Sequence, residues 1–138
     1  MKPTTRHYLI FSFYLLLCSL IQYTQAYLNE PHAPFSILSP PEGTTIKQGE
    51  HVNITWQLTA GTEFPIYGYA AASTSQTIIG LLPPESRRDE RYVHKIDSNV
   101  KLTDLSYIWT VDEQIPPGAY RIGIGFYYHE TSPLIHIV

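Results

Sequence analysis

From Glu50 to Leu58 apolar and polar residues alternate without a break. Val52, Ile54, Trp56 and Leu58 fall on one face; His51, Asn53, Thr55 and Gln57 fall on the other. A period of two is that of a strand with one buried and one wet side, because successive side chains of extended backbone point to opposite faces. Trp56 is the largest apolar group on that face, so the core is expected to form around it.

The same logic recurs along the chain. Phe35–Ser39 reads as a short first strand, closed by the turn cluster Pro40-Pro41-Glu42-Gly43, and Thr44–Ile46 as a brief edge segment. Phe64–Ala72 alternates Ile66, Gly68 and Ala70 with Tyr67, Tyr69 and Ala71, which predicts a strand, and the tyrosine face is the one favoured for burial. Gln76–Leu82 is a β-branched and leucine run of strand length, and Tyr92–Ile96 a further short strand. Pro83–Glu90 has no apolar residue besides its prolines and reads as the most exposed loop, with polar Asp97–Asp104 as a second loop crossing an edge.

In Leu105–Val111, Leu105, Tyr107, Trp109 and Val111 share a face, so the second tryptophan is expected to meet the first inside. Ala119–Phe126 sets Tyr120, Ile122, Ile124 and Phe126 in register, with Gly123 and Gly125 opposite, where they permit a close approach or a bulge. Tyr127–Ser132 reads as a last turn and Leu134–Val138 as a terminal strand.

Seven to nine short strands with a turn about every ten residues predict an all-β, antiparallel sandwich of the immunoglobulin or fibronectin-III type. Tyr120, just after Pro116-Pro117-Gly118, stands where such a sandwich places its tyrosine corner, the hydroxyl bonding back to upstream backbone. With Trp56, Trp109 and Tyr120 as structural core and no cysteine pair to join the sheets, the pattern lies nearer the fibronectin-III variant.

The amino terminus sets the compartment. Lys2, Arg6 and His7 precede a 13-residue apolar run, Leu9–Ile21, which suits the core of a signal peptide and is short for a bilayer span. Cleavage is expected after Ala26, giving a signal peptide over 1–26 and a single domain over 27–138, with no stable membrane anchor left; an uncleaved anchor is the rival reading. The 112 residues of the mature chain suffice for one domain that buries roughly two-thirds of its unfolded surface. The only cysteine, Cys18, falls in the signal, which excludes disulfides, thiol catalysis and cysteine-ligated metals from the mature domain. From Tyr27 onward 7 basic residues face 12 acidic ones, a net charge of −5, which argues against nucleic-acid or anionic-membrane partners.

In a secreted chain Asn53-Ile54-Thr55 is an N-glycosylation sequon, with Asn53 on the wet face of its strand. Catalytic constellations are thin. His32, His51, His94, His129 and His136 show no ligand spacing and read as solvated or hydrogen-bonded side chains, so no metal or other cofactor is expected. Glu85, Asp89, Glu90, Asp112, Glu113 and Glu130 fall in predicted loops and read as surface acids, not a hydrolytic pair. Arg87-Arg88 reads as a charged exposed pair, with proteolytic processing as the alternative. The chain is therefore not expected to be an enzyme.

Tyr67, Tyr69, Tyr127 and Tyr128, with Phe126, supply more aromatic surface than a core of this size requires. Such rings stack on the apolar faces of sugars, which makes these tyrosines candidate glycan contacts; ordinary packing is the competing reading.

Ser39-Pro40, Gly43, Gly49 and Ile54-Thr55-Trp56, then Tyr107-x-Trp109-Thr110-Val111 and Gly118-x-Tyr120, resemble the amino-terminal domain of the yeast cell-wall synthesis family, the Knh-like group of Ser/Thr-rich, GPI-anchored fungal wall proteins. The resemblance runs from about Phe35 to Val138. It implies an immunoglobulin-like, non-catalytic domain associated with β-1,6-glucan assembly and wall organisation, with cell-wall polysaccharide or wall and surface proteins as partners. Ile46 stands where the family often has tryptophan and Asp112 where it often has proline. No Ser/Thr-rich stalk or hydrophobic tail follows Val138, so the expectation is a secreted form of the domain without a GPI anchor. The alternative function is a secreted protein-binding adhesion or effector module that uses an edge strand, the short terminal strand being the candidate.

Overall fold

The computed structural model describes residues 12–16, 33–86 and 90–138. Residues 12–16 are helical and belong to a unit spanning Met1–His32; Ala33–Val138 is a separate unit and carries everything below. Of the expected signal peptide only this helical stretch is described, and its cleavage point and the Arg87-Arg88 pair lie outside the described residues. Among the described residues no helix is long and apolar enough to cross a membrane.

Among the described residues the domain contains nine strands: β1 (Phe35–Ser39), β2 (Thr45–Ile46), β3 (His51–Leu58), β4 (Gln76–Leu82), β5 (His94–Lys101), β6 (Ser106–Thr110), β7 (Gly118–Ile124), β8 (Glu130–Thr131) and β9 (Ile135–Ile137). They form a three-stranded sheet, β1-β3-β6, and a six-stranded sheet, β2-β9-β7-β4-β5, with β8 on β7. All pairings are antiparallel except that of β2 with β9. The chain thus changes sheets at Pro40–Gly43: β1 pairs with β3, and after the turn β2 lies alongside β9 in the other sheet.

One core joins the two sheets. Phe35, Ile37, Val52, Ile54, Trp56 and Trp109 enter it from the smaller sheet; Ile46, Ile79, Leu81, Ile122, Ile124, Ile135 and Ile137 enter from the larger. In β3 the alternation holds residue by residue: Val52, Ile54 and Trp56 are buried, His51, Asn53 and Gln57 exposed. The indole of Trp56 donates to the Leu102 carbonyl at 2.7 Å, which satisfies its one polar atom inside the core. Trp109 pairs with Val52, so the two tryptophans share the inner face of one sheet, offset along β3 by Ile54, and do not meet as adjacent partners.

Five segments depart from the sequence reading, one of them the expected last turn Tyr127–Ser132, which contains β8. Phe64–Ala72 is a series of turns, not a strand. Its buried residues are Ile66, Tyr69 and Ala70, a spacing of three and four, and the amides of Tyr69 and Ala70 both donate to the Ile66 carbonyl. The apparent alternation came from tyrosines with opposite fates. Asp97–Lys101, expected as loop, completes β5, an edge strand whose outward side chains face water and so lack an apolar signal. Leu105 does not share the inward face of β6: it precedes the strand at φ 60° and is exposed, following a 3-10 turn over Leu102–Asp104. The terminal strand β9 is not an edge, because β2 and β7 flank it and leave it no free backbone for a partner strand.

At the turn between β6 and β7 the Tyr120 hydroxyl donates to the Pro116 carbonyl at 2.8 Å, the bond that defines a tyrosine corner. Tyr120→Phe removes this bond alone, and the expected result is a loss of about 1 kcal/mol of unfolding free energy in urea titration. A change below about 0.3 kcal/mol would show that the corner is held by packing instead.

Candidate functional site

The site is built by two turns that share one carbonyl. The turn at 66–70 brings out Tyr67, and the turn at 125–129 brings out Tyr127 and Tyr128; the amides of Tyr127 and Tyr128 both donate to the Gly68 carbonyl, at 2.8 and 3.1 Å. Tyr67 is 79% exposed, Tyr127 81% and Tyr128 52%. Gly68 sits at φ +83°, and a Cβ there would lie 2.5 Å from the Tyr128 ring, so only glycine lets the ring lie against this turn.

Tyr69, also a candidate contact from sequence, is withdrawn from the surface at 8% exposure. Its ring packs edge-on to Phe35 at 5.6 Å and tilted to Tyr128 at 6.1 Å, and its hydroxyl lies 2.9 Å from Oε1 of Glu130. Phe35, Tyr69 and Tyr128 therefore form an aromatic column from the core to the surface. Tyr69 braces the site and does not reach solvent as a contact residue.

A second brace comes from Tyr92, which its sequence pattern marks only as a strand residue. β4 and β7 set Gly80 opposite Gly123, and the Tyr92 ring lies over both: a Cβ would come within 2.5 Å of it at Gly80 and 2.9 Å at Gly123. The Tyr92 hydroxyl donates to the Gly125 carbonyl at 2.8 Å and so fixes the start of the 125–129 turn. Burial pushes the Tyr92 hydroxyl well above the usual tyrosine range, opposed only in part by the Gly125 bond, so it remains a neutral donor. His129 is buried, with its ring centroid 5.2 Å from that of Tyr92, so of the two expected readings, solvated or hydrogen-bonded, the solvated one does not hold for it.

Beside Tyr127 a groove of about 460 Å³ is lined by Phe126, Tyr92, Ile78, Glu90, Arg91 and Lys95. Exposed rings next to a mixed-charge groove offer stacking surface for the apolar face of a sugar and donors and acceptors for its hydroxyls.

The remaining candidates do not converge. Glu130 lies in β8, not in a loop, and is engaged by Tyr69; Asp112 and Glu113 occupy the exposed turn before β7, Glu85 and Glu90 are exposed, and Asp89 lies outside the described residues. His51 is exposed, with Nδ1 2.8 Å from the Thr110 hydroxyl. Among the described residues no three His, Cys, Asp or Glu side chains are grouped to hold a metal. Asn53 is exposed on the outer face of β3, on the opposite sheet from the groove.

No family model matches the chain, and no curated protein matches it. Among solved structures it is similar to a chain described as "Structures of Clostridium thermocellum CbhA fibronectin(III)-like modules", at 14% identity, covering 75% of this chain and 93% of that one, with a TM-score of 0.34.

Proposed function

We propose that this chain is a secreted, non-catalytic β-sandwich module of the fungal cell wall, and that Tyr67, Tyr127 and Tyr128 form its contact surface for wall polysaccharide. The observation that carries the reading is the pair of turns joined at the Gly68 carbonyl, which hold three exposed rings on a rigid base. The turns fix the backbone that carries these tyrosines and the Tyr128 ring packs on Tyr69, so less conformational freedom is lost on binding than from an unbraced loop. The resemblance to the Knh-like wall family supports the location and the class of ligand, with a part in β-glucan assembly or wall organisation as the biological role.

The test is cosedimentation of the protein with insoluble β-1,3-glucan, β-1,6-glucan-rich wall and chitin, compared with Tyr127→Ala/Tyr128→Ala and with Tyr67→Ala. Retention on one polymer is expected. It should weaken about tenfold for each ring removed, on the order of 1.4 kcal/mol of stacking per ring. Unaltered thermal melting of the variants would establish that only the surface has changed. Absence of retention on every polymer rejects the glycan reading in favour of a protein-binding module, for which the exposed edges are β1, β2, β5 and β6.

A further inference from the structure

The outer face of the smaller sheet is polar along β3 and interrupted by two aliphatic side chains on its neighbours. Ile108, on β6, is paired directly with Asn53 and is 71% exposed; Leu38, on β1, is 56% exposed. On the β1 side the Ser39 hydroxyl donates to the Asn53 carbonyl at 3.0 Å, which fixes the backbone of the sequon in the sheet. Residues directly opposite on antiparallel strands hold their Cβ atoms about 4.5–5.5 Å apart, so a group attached to the Asn53 amide begins within contact distance of Ile108.

We infer that Asn53 carries an N-linked glycan whose first sugar lies on Ile108 and closes this face of the sandwich. In the attachment the Asn53 amide nitrogen forms a bond to the anomeric carbon of a lipid-pyrophosphate-linked oligosaccharide. The carbon–oxygen bond to pyrophosphate breaks, the lipid pyrophosphate leaves with the electron pair, and the amide gives up one proton. The N-acetylglucosamine ring then presents its C–H face to the branched aliphatic side chain of Ile108 and its hydroxyls to water, while His51 and Thr110, the next pair along, offer polar partners at its margin. A glycan here leaves the tyrosine turns open, since those project from the other sheet and its loops. The inference rests on the secretory part of the proposal above and is independent of polysaccharide binding.

The full chain expressed through a glycosylating secretory host provides the test, with Asn53→Gln, Ile108→Thr and the double variant. Peptide mass spectrometry is expected to find hexose and N-acetylhexosamine on Asn53. Thermal midpoints should fall by roughly 2–5 °C from wild type to Asn53→Gln, a shift that corresponds to less than about one kcal/mol in a domain of this size. Trimming the wild-type glycan enzymatically to its first sugar should preserve the midpoint, and in the Ile108→Thr background loss of the glycan should leave it unchanged. An unmodified Asn53 overturns the inference. So does a glycan contribution that is the same with and without the Ile108→Thr substitution, or one lost entirely when only the first sugar remains. None of these readouts involves a polysaccharide, so failure here and failure of the binding proposal are told apart.

Discussion

Trp56→Ala is expected to lower the unfolding free energy by about 3–5 kcal/mol, the cost of deleting a large buried aromatic when the surrounding core closes only in part. Trp56 is 2% exposed and lies on the inner face of the central strand of its sheet, with Ile37 of β1 paired beside it. Its removal also strands the Leu102 carbonyl, which accepts the indole N–H at 2.7 Å at the 3-10 turn between β5 and β6. Against a total stability of roughly 5–15 kcal/mol, a loss of this size brings the domain near unfolding at 37 °C. Trp56→Phe separates the two contributions: it keeps most of the apolar contact and loses the hydrogen bond, for an expected cost of about 1–3 kcal/mol. Urea midpoints at constant slope would measure both, and a Trp56→Ala loss under about 1 kcal/mol would show that the core does not depend on this residue.

Gly125→Ala is expected to be comparably damaging by another route, and, on the function proposed above, to remove polysaccharide binding together with stability. Gly125 stands at φ +146°, and a Cβ there would run into the Tyr128 carbonyl oxygen and lie 2.9 Å from the His129 Cα. Those neighbours are backbone and cannot rotate aside, so the 125–129 turn itself must shift. The displacement breaks the Gly125 amide bond to the Ile78 carbonyl and the Tyr92 bond to the Gly125 carbonyl, and moves Tyr127 and Tyr128 away from the Gly68 carbonyl. Strain and lost bonds together are expected to cost at least about 3 kcal/mol. Gly61→Ala is the control: Gly61 has φ +81° but nothing within 4 Å of its added Cβ, so its expected cost is about 1–2 kcal/mol, with any polysaccharide retention shown by the wild type unchanged. Equal losses at the two positions would show that conformational strain, and not the backbone collision, sets the cost.

The strands of the core were legible because burial on one face writes a period of two into the residues. β3 buries Val52, Ile54 and Trp56 and exposes His51, Asn53 and Gln57, with Thr55 and Leu58 half-buried, and β7 buries Ile122 and Ile124 as the pattern requires. The tyrosine corner was legible for a related reason: proline, glycine and tyrosine in that order constrain a turn locally, and the Tyr120 bond to Pro116 spans only four residues. Polar β5 was not legible beyond its first residues, since an edge strand is held by backbone pairing that any side chain permits.

For the candidate site, the residue types were visible and their arrangement was not. Tyr67 and Tyr69 are two residues apart and share a face only if the backbone is extended. A turn with Gly68 at φ +83° sends one to solvent and the other beneath Tyr128. Tyr92 gave no local sign of its role, which depends on Gly80 and Gly123 meeting across β4 and β7, 43 positions apart in the chain. Periodicity and turn chemistry are local properties, and through them the sequence by itself determined an all-β sandwich, its core strands and the exposure of Asn53. Which tyrosines meet, which are exposed and what holds them depend on contacts between distant segments, and only the tertiary structure decided those.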